Sequence, residues 1–198
     1  TLAELAQYSR VPVINALSDL EHPCQALADL FTIYEKKGKL KGLTMAFIGD
    51  GNNVANSLSL ACAMTGVNFN LATPADYGMN SEVVKKAREY AAASGAKITL
   101  MRDPGKAVKN VDVIYTDTWT SMGQETEAEA RRKAFSGYQV HEKLLSGARK
   151  DAIVMHCLPA HHGEEVAAGI LDSPQSVVFD QAENRMHMQK AVLAKLLG

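Results

Sequence analysis

Short apolar runs alternate with helical stretches along most of this 198-residue chain, and this alternation restricts its fold more than any other feature. Runs rich in β-branched and large apolar residues predict five strands, at residues 43–48, 67–71, 97–101, 111–116 and 153–156. The stretches between them predict helices at residues 54–64, 81–94 and 104–109, with Ser81 as a helix cap. Strands that alternate with helices form a mainly parallel sheet with helices on both faces, so the sequence predicts a doubly wound, Rossmann-like α/β fold.

Asp117 directly follows the fourth predicted strand and should therefore lie at the carboxyl end of that strand. Open α/β sheets bind their ligands at this edge. The loop after Asp117 contains the single tryptophan of the chain together with Ser121, Met122 and Gly123, a mixture suited to enclosing a small molecule. The Asp117 carboxylate either binds a cationic group of a ligand or caps the next helix.

The stretch after the first strand, residues 49–54, begins like the G-x-G-x-x-G signature of dinucleotide-binding proteins. Val54 replaces the third glycine, and the next strand is not followed by the acidic residue that would bind the ribose. The sequence therefore predicts no nicotinamide dinucleotide and no other cofactor. Asn52 and Asn53 remain at a helix amino end, where each either caps the helix or contacts a carboxylate of a ligand.

A further helix is predicted to begin near Pro23, because proline suits the first turn of a helix and apolar residues recur at helical spacing behind it. His22 and Gln25 then lie at its amino end, where backbone N–H groups favour anionic ligands. His22 either contacts such a ligand or only caps the helix. Near the start of the last predicted helix, Arg185 can present its guanidinium group to a phosphate. A short strand is also predicted at residues 13–16.

Residues 156–165 contain three histidines, two glutamates and Cys157, but their spacing matches no common zinc site, so the sequence predicts no metal ion. Cys157 lies just after the fifth predicted strand, on the same sheet edge as Asp117. It is either a thiol that faces a ligand or a buried filler of the core. The chain has three cysteines, Cys24, Cys62 and Cys157, which lie far apart in the sequence. An odd number of widely spaced cysteines is typical of reduced thiols and a cytoplasmic location.

The charge and hydropathy of the chain favour a small-molecule ligand. A net charge of -1, without a cluster of Lys and Arg between aromatic residues, argues against nucleic acid or an anionic membrane surface as a partner. No apolar run approaches the roughly 18 residues of a membrane span. The chain begins with Thr1 and is already in helical rhythm there, which indicates a piece of a longer protein.

Four short stretches of the chain stand in a specific order and spacing. They are residues 22–25 (HPCQ), Asp117 with residues 121–123 (SMG), residues 156–159 (HCLP) and residues 182–185 (AENR). Together they resemble the ornithine carbamoyltransferases of the aspartate/ornithine carbamoyltransferase family. Aspartate carbamoyltransferases differ in the HCLP stretch and lack the SMG loop, so the resemblance favours a diamino-acid substrate.

The resemblance also implies a division of the chain. Residues 1–37 are similar to the tail of an amino-terminal carbamoyl-phosphate domain with its connecting helix, and residues 38–182 to the ornithine-binding α/β domain. Residues 183–198 are then the terminal helix, which packs back toward the carbamoyl-phosphate domain. Family members carry an S-x-R-T motif in that first domain, and these 198 residues contain none.

The family pattern implies a role for each matching residue of the site. Those implied to contact carbamoyl phosphate are His22, Gln25, Cys157, Leu158 and Arg185. Those implied to bind the α-amino and α-carboxylate groups of ornithine are Asn53, Asp117, Ser121 and Met122. Of these, His22, Cys157 and Arg185 are the implied catalytic residues. The resemblance further implies a homo-oligomer, either a trimer or a multiple of it.

The implied reaction transfers a carbamoyl group from carbamoyl phosphate to the δ-amine of L-ornithine and gives L-citrulline and phosphate. The δ-ammonium should resemble that of Lys, with a pKa near 10.4, so its deprotonation at pH 7 costs about 4.6 kcal/mol. Putrescine and N-acetylornithine are alternative amines, although Asp117 favours a free α-amino group and Asn53 with Ser121 favours a carboxylate. The alternative from another class is a non-catalytic amino-acid-binding α/β module.

We expect the 198-residue chain alone to release no phosphate from carbamoyl phosphate and ornithine, because the S-x-R-T motif of the resembled family is not among these residues. A phosphate-release assay on the purified chain tests this expectation. Turnover within tenfold of that of an ordinary enzyme, about 10 per second, would contradict it.

Overall fold

The computed structural model describes residues 1–121 and 123–198 and contains one five-stranded sheet. The strands are β1 (Thr44–Ile48), β2 (Asn68–Ala72), β3 (Ile98–Met101), β4 (Val113–Thr116) and β5 (Ile153–His156). Their order across the sheet is β3-β2-β1-β4-β5, and every neighbouring pair is parallel. The predicted doubly wound α/β fold is confirmed.

Helices connect and flank these strands. They are α1 (Leu2–Tyr8), α2 (Pro23–Lys37), α3 (Asn53–Thr65), α4 (Ser81–Ser94), α5 (Pro104–Ala107), α6 (Ala128–Ala134), α7 (Glu142–Leu145) and α8 (Val178–Leu197), with a short 3-10 helix at Glu125–Glu127. The predicted helix start at Pro23 is confirmed. In the part of the chain that the structure describes, no helix is both long enough and apolar enough to cross a membrane.

Each face of the sheet is covered by its own core, because side chains alternate between the two faces of a strand. On one face Met45 and Phe47 of β1 pack with apolar residues of α2, α3 and α4. The Phe47 ring stacks on that of Tyr115, with 5.4 Å between the ring centroids. On the other face Ala46 and Ile48 pack with residues of α5, α7 and the start of α8. Strands buried on both faces explain the continuous apolar runs in the sequence.

The last helix, α8, packs along α2. The Asn184 Nδ2 atom of α8 donates hydrogen bonds to two residues of α2, Thr32 Oγ1 at 3.0 Å and Glu35 Oε2 at 2.6 Å. An ion pair between Lys36 and Asp180 joins the same helices nearer the surface, at 2.8 Å. The helix that ends the chain is therefore attached to the segment that precedes the α/β domain.

Three predictions about local structure are wrong. Residues 13–16 form no strand, because they pair with none of the described strands, and Ile14 is exposed. The cap of α4 is Asn80 rather than Ser81, since the Asn80 side chain accepts hydrogen bonds from the first backbone N–H groups. The last helix begins at Val178, so Arg185 lies in its third turn and not at its start.

A carboxylic acid, Asp29, is fully buried between α2 and α8. Its Oδ1 atom accepts hydrogen bonds from Gln25 Nε2 at 2.8 Å and from Gln181 Nε2 at 2.7 Å. Burial raises the pKa of the Asp29 carboxyl to about 7, although both amide hydrogen bonds act to lower it. The folded protein therefore binds a proton at Asp29 under conditions in which the unfolded chain does not.

This difference predicts that Asp29 makes the folded state less stable as the pH rises. The unfolded carboxyl loses its proton near pH 4 and the folded one only near pH 7, so the free energy of unfolding falls through this range. At about 1.36 kcal/mol per pKa unit, the loss amounts to about 4 kcal/mol between pH 4 and pH 8. Urea unfolding of wild type and Asp29→Asn across this range measures it, with Asp112→Asn as a control. Parallel pH curves for wild type and Asp29→Asn would contradict the prediction.

Candidate active site

The strand order reverses between β1 and β4, because β2 and β3 extend from one side of this pair and β5 from the other. Ligands of open α/β sheets bind at such a reversal, beyond the carboxyl ends of the strands. Here that edge carries the loop of residues 49–52 after β1, Asp117 after β4 and Cys157 after β5. The three positions that the sequence placed on one edge are brought together.

Asp117 is the centre of a hydrogen-bonded cluster and is almost fully buried. Its Oδ2 atom accepts a hydrogen bond from Asn52 Nδ2 at 2.7 Å. Its Oδ1 atom accepts from the backbone N–H of Thr118 at 2.8 Å and from Cys157 Sγ at 2.9 Å. The next helical segment begins after Gln124, so the alternative that Asp117 caps a helix is wrong.

The two asparagines after β1 have different partners. Asn52 caps α3, because its Oδ1 atom accepts hydrogen bonds from the backbone N–H groups of Val54 and Ala55, both at 3.1 Å. Asn53 is the first residue of the helix, and its Nδ2 atom donates to the backbone carbonyl of Ser18 at 2.8 Å. Asn52 therefore both caps the helix and contacts Asp117, a second role that the sequence did not reveal.

The glycines in this loop have a structural explanation. Gly51 donates its backbone N–H to the carbonyl of Tyr77 at 2.8 Å, and a side-chain Cβ at this position would lie 2.3 Å from the backbone nitrogen of Met79. Gly49 has a φ of 142°, a conformation that favours glycine. Close packing against residues 77–79 thus accounts for a G-x-G pattern without a dinucleotide.

The Cys157 thiol is a hydrogen-bond donor to Asp117 and is only partly exposed. Burial, followed by the negative charge of Asp117, raises the pKa of the thiol well above its usual value. Cys157 also packs against the core on the α2 side of the sheet. The side chain therefore contacts both the core and the polar cluster, and its sulfur stays protonated at neutral pH.

Arg131 of α6 attaches the loop after β4 to the loop after β1. Its Nη1 atom donates to Asp50 Oδ2 at 2.8 Å and to the Trp119 carbonyl at 2.9 Å. Burial raises the pKa of the Asp50 carboxyl, and the hydrogen bond and charge of Arg131 oppose that shift. Sequence reasoning missed both residues. The position of Asp50 two residues after β1 was a usable signal, whereas nothing local distinguishes Arg131.

Ser121 and Gly123 of the SMG stretch each donate a backbone hydrogen bond to a side chain just after it. The backbone N–H of Ser121 donates to Gln124 Oε1 at 3.1 Å, and that of Gly123 donates to Glu125 Oε1 at 3.0 Å. Ser121 is partly buried and lies five residues beyond β4. Met122, which the sequence assigned to the ornithine site, lies outside the described residues.

A second cluster joins the amino end of α2 to α8. The Arg185 Nη1 atom donates to Gln25 Oε1, and within the described residues Arg185 Nε and His22 Nδ1 are buried without a hydrogen-bond partner. Buried polar atoms without a protein partner are uncommon, and a binding or catalytic role is one explanation for them. His22 occupies the cap position of α2, although its side chain makes no capping hydrogen bond, and its contact with a ligand stays a prediction.

His22 lies within electrostatic reach of both clusters. Burial, followed by the positive charge of Arg185, lowers the pKa of the His22 imidazole, and the negative charge of Asp117 acts in the opposite direction. The His22 backbone N–H donates to Ser57 Oγ of α3 at 2.8 Å, and Ser57 donates to Glu21 Oε2 at 2.6 Å. Helix α3 therefore holds the segment before α2 next to the sheet edge.

The loop after β5 is shaped by His156. Its Nδ1 atom accepts a hydrogen bond from the backbone N–H of Leu158 at 2.9 Å, and its Nε2 atom lies 3.2 Å from Glu165 Oε1. Leu158 has a φ of 57°, which is uncommon for a residue with a side chain, and its peptide bond to Pro159 is cis. The left-handed backbone of Leu158 thus directly follows Cys157.

Two groups of potential metal ligands occur within the described ranges. One consists of Asp117, His156 and Cys157, and the other of His161, Glu164 and Glu165. Most of these atoms already have protein partners: Cys157 donates to Asp117, and Arg132 Nε lies 2.8 Å from Glu164 Oε1. The expectation of no metal ion stays a prediction.

Comparison with known proteins agrees with the resemblance noted from the sequence. The sequence model described as "Aspartate/ornithine carbamoyltransferase, Asp/Orn binding domain" matches residues 41–196. The model described as "Aspartate/ornithine carbamoyltransferase, carbamoyl-P binding domain" matches residues 1–35. The first match alone covers most of the chain.

Curated relatives and solved structures are similar over the whole chain. The ornithine carbamoyltransferase of Archaeoglobus fulgidus is 59% identical over 198 residues, which are 100% of this chain and 63% of that protein. A structure of ornithine carbamoyltransferase from Pyrococcus furiosus is 57% identical with a TM-score of 0.94, over 98% of this chain and 62% of that one. A structure of ornithine carbamoyltransferase from Gloeobacter violaceus is 47% identical with a TM-score of 0.93, over 100% of this chain and 66% of that one. The chain thus spans somewhat less than two thirds of the first two proteins, and it belongs to the aspartate/ornithine carbamoyltransferase family.

Proposed function

We propose that this chain forms the ornithine-binding part, and a portion of the carbamoyl-phosphate site, of an ornithine carbamoyltransferase. The reaction would transfer the carbamoyl group of carbamoyl phosphate to the δ-amine of L-ornithine and give L-citrulline and phosphate. The observation that carries this proposal is the Asp117 carboxylate at the strand-order reversal. It accepts three hydrogen bonds from the described residues, and a carboxylate has about four acceptor positions, so one position suits a ligand ammonium.

The family comparisons support the proposal. The relatives from Archaeoglobus fulgidus and Pyrococcus furiosus, 59% and 57% identical to this chain, are named ornithine carbamoyltransferases. We propose the same division that the sequence indicates, with residues 1–37 as the end of the carbamoyl-phosphate domain and residues 38–182 as the ornithine domain. The terminal helix, residues 183–198, then returns toward the first domain, and its contact with α2 is consistent with this arrangement.

For the carbamoyl-phosphate site we propose His22, Gln25 and Arg185, with Cys157 and Leu158 from the loop after β5. A guanidinium group forms charged, often bidentate hydrogen bonds with phosphate oxygens, and Arg185 Nε is buried without a partner among the described residues. His22 also has a ring nitrogen without a described partner and a lowered pKa, so it is neutral at pH 7. A neutral imidazole and a guanidinium can stabilise the oxyanion and the leaving phosphate.

The amine must lose a proton before it attacks the carbamoyl carbon. The nitrogen of the neutral amine then forms a bond to that carbon, the carbon–oxygen bond to phosphate breaks, and the nitrogen gives up its remaining extra proton. Cys157 is poorly suited to accept a proton, because burial and Asp117 keep its thiol protonated. We therefore assign Cys157 the role of a donor that orients Asp117, and not that of a covalent nucleophile, since amine attack needs none.

Asp117 also discriminates between the alternative amines. Putrescine has no α-amino or α-carboxylate group, and N-acetylornithine has an amide in place of the α-ammonium. Either amine would leave the buried Asp117 carboxylate without a cation, which is unfavourable. The site should therefore strongly prefer L-ornithine. We propose that Asn53, Ser121 and Met122 bind the α-groups together with Asp117.

A direct experiment uses a form of the enzyme that carries both family domains. Citrulline formation from carbamoyl phosphate is measured with L-ornithine, and product formation is compared with putrescine and N-acetylornithine. We expect turnover with L-ornithine at the highest kcat/KM. Binding of ornithine without any carbamoyl transfer would instead support the non-catalytic amino-acid-binding module.

We further propose a cytoplasmic homo-oligomer, a trimer or a multiple of it. Cys24, Cys62 and Cys157 are all free thiols in the structure, as is typical of proteins in reducing compartments. Light scattering of the two-domain form tests the assembly.

Asp117→Asn tests the assignment to the ornithine ammonium. In the two-domain form we expect kcat/KM for ornithine to fall at least about tenfold, because a charge-assisted hydrogen bond of about 1.5 to 3 kcal/mol is lost. Asp112→Asn is the matched control, since this carboxylate lies before β4 at the opposite edge and accepts from the Thr44 backbone N–H at 2.9 Å. Equal kcat/KM for wild type and Asp117→Asn would remove Asp117 from the substrate site.

The reactivity of Cys157 tests its protonation state in the 198-residue chain. We expect iodoacetamide to alkylate Cys157 slowly at pH 7.5, because only the thiolate reacts and the raised pKa keeps its fraction small. Asp117→Asn has the same shape without the charge, so it should make alkylation several times faster, whereas Asp112→Asn should not. Mass spectrometry of the Cys157 peptide gives the rates. Alkylation of the wild type as fast as that of a free cysteine would contradict the assignment.

A further inference from the structure

The buried Asp29 contacts the carbamoyl-phosphate cluster through one of its members. Asp29 lies one helical turn after Gln25 on α2, and its Oδ1 atom accepts a hydrogen bond from Gln25 Nε2 at 2.8 Å. On its other side the Gln25 amide accepts, through Oε1, a hydrogen bond from Arg185 Nη1. Asp29, Gln25 and Arg185 thus form one continuous chain of hydrogen bonds from the helix interior to the site.

The chemistry of the two end groups determines how the Gln25 amide is oriented. The Oδ1 atom of Asp29 only accepts hydrogen bonds, and a guanidinium group only donates them. The Gln25 amide satisfies both only when Nε2 faces Asp29 and Oε1 faces Arg185. In the reversed orientation, nitrogen donors would face the Arg185 donors and an oxygen would face the Asp29 oxygen.

Apart from its hydrogen bonds to the two amides, burying an ionisable carboxyl at position 29 is unfavourable for the folded state. Within the described residues its Oδ2 atom is buried without a hydrogen-bond partner. Burial raises the pKa of the carboxyl to about 7, although the Gln25, Gln181 and Tyr115 side chains act to lower it. A buried carboxyl with a strongly shifted pKa that contacts a candidate site residue is itself a functional-site candidate. Protonation at the unpartnered Oδ2 leaves Oδ1 free to accept, so the orientation of Gln25 is kept in either protonation state.

Gln181 connects the same carboxylate to the loop that carries Cys157. Its Nε2 atom donates to Asp29 Oδ1 at 2.7 Å, and its Oε1 atom accepts from the His156 backbone N–H at 3.0 Å. The Asp29 oxygen therefore has fixed contacts with α2, α8 and, through Gln181, with the end of β5.

We propose that Asp29 is a positioning residue of the carbamoyl-phosphate site: as an acceptor it fixes the polarity of the Gln25 amide and thereby holds Arg185 in place for the substrate. This inference rests on the proposed function, because that function assigns Gln25 and Arg185 to carbamoyl phosphate. Asp29 itself is buried behind Gln25 and does not touch the substrate.

Asp29→Leu is the variant that tests the inference. Leucine has a similar shape but no hydrogen-bond acceptor, so the polarity of the Gln25 amide is no longer fixed. Thr32→Val is the matched control. It removes a buried hydrogen bond from Asn184 in the same α2–α8 interface, at 3.0 Å in the wild type, and leaves the described contacts of Gln25 and Arg185 intact.

The first measurement needs no substrate and uses the 198-residue chain. Nuclear magnetic resonance gives the rate at which the Arg185 guanidinium rotates about its Nε–Cζ bond, which the hydrogen bond to Gln25 slows. We expect this rotation to become about tenfold faster in Asp29→Leu and to stay at the wild-type rate in Thr32→Val. If Asp29→Leu gives no spectrum of a folded protein, Asp29→Ser replaces it, because its shorter side chain withdraws the acceptor from Gln25.

The second measurement uses steady-state kinetics of the two-domain form. In Asp29→Leu we expect the KM for carbamoyl phosphate to rise about tenfold while the KM for ornithine changes less than about twofold. Thr32→Val should lower the melting temperature and leave both KM values unchanged, which separates positioning from general loss of stability.

The outcomes distinguish the inference from the proposed function. Unchanged Arg185 rotation in Asp29→Leu would overturn the positioning role, whatever the kinetics. Faster rotation with an unchanged KM for carbamoyl phosphate would also overturn the inference, because the positioned pair would not serve that substrate. Failure of the proposed function has another signature, since the wild-type two-domain form would then produce no citrulline.

Discussion

The pairing of β1 with β4 is the constraint on which the rest of the site depends. The two strands lie side by side in parallel with Ile48 opposite Thr116, and Thr116 Oγ1 donates to the Ile48 carbonyl at 2.7 Å. Because both strands run in the same direction, the loop after β1 and the residue after β4 end at the same edge of the sheet. Asn52 therefore reaches Asp117 although 65 residues separate them, and Cys157 arrives from β5 by the same geometry. The carboxylate is surrounded by donors from three strands before any ligand binds.

Arg131 adds the contact that restricts the loops around this edge. Its guanidinium is buried and donates to Asp50 on one loop and to the Trp119 carbonyl on the other. Separating the loops would leave the buried Asp50 carboxylate without its partner, which costs several kcal/mol. Trp119 is fixed further by its ring, which stacks on Phe135 with 5.8 Å between the centroids. The walls beside Asp117 are thus set by packing and ion pairing, and such preorganisation lowers the free energy needed to bind a small polar ligand.

The sequence predicts the strands well because a strand buried on both faces appears as one apolar run, and all five lie within two residues of their expected bounds. Their parallel arrangement makes the shared edge of Asp117 and Cys157 predictable too. Contacts that join distant positions were not predictable, because no local pattern records them: Arg131 is 81 residues from Asp50, and Gln181 is 152 residues from Asp29. At residues 13–16 the sequence instead predicts a strand that the structure does not contain. They are apolar enough for a strand, but a strand needs a partner edge, and that requirement is not visible in four residues.

In the proposed reaction the two ammonium groups of ornithine need opposite electrostatic environments. The α-ammonium must keep its proton, and the Asp117 carboxylate favours that charged form. The δ-ammonium must lose its proton, and a nearby positive charge favours the neutral amine. Arg185 already has this effect on His22, whose pKa burial and the guanidinium charge both lower. Cys157 keeps its own proton beside Asp117, so it adds no negative charge that would hold the δ-proton in place. Under the proposed function, the carboxylate at the sheet edge holds the α-ammonium, and the guanidinium on the last helix favours the neutral form of the δ-amine.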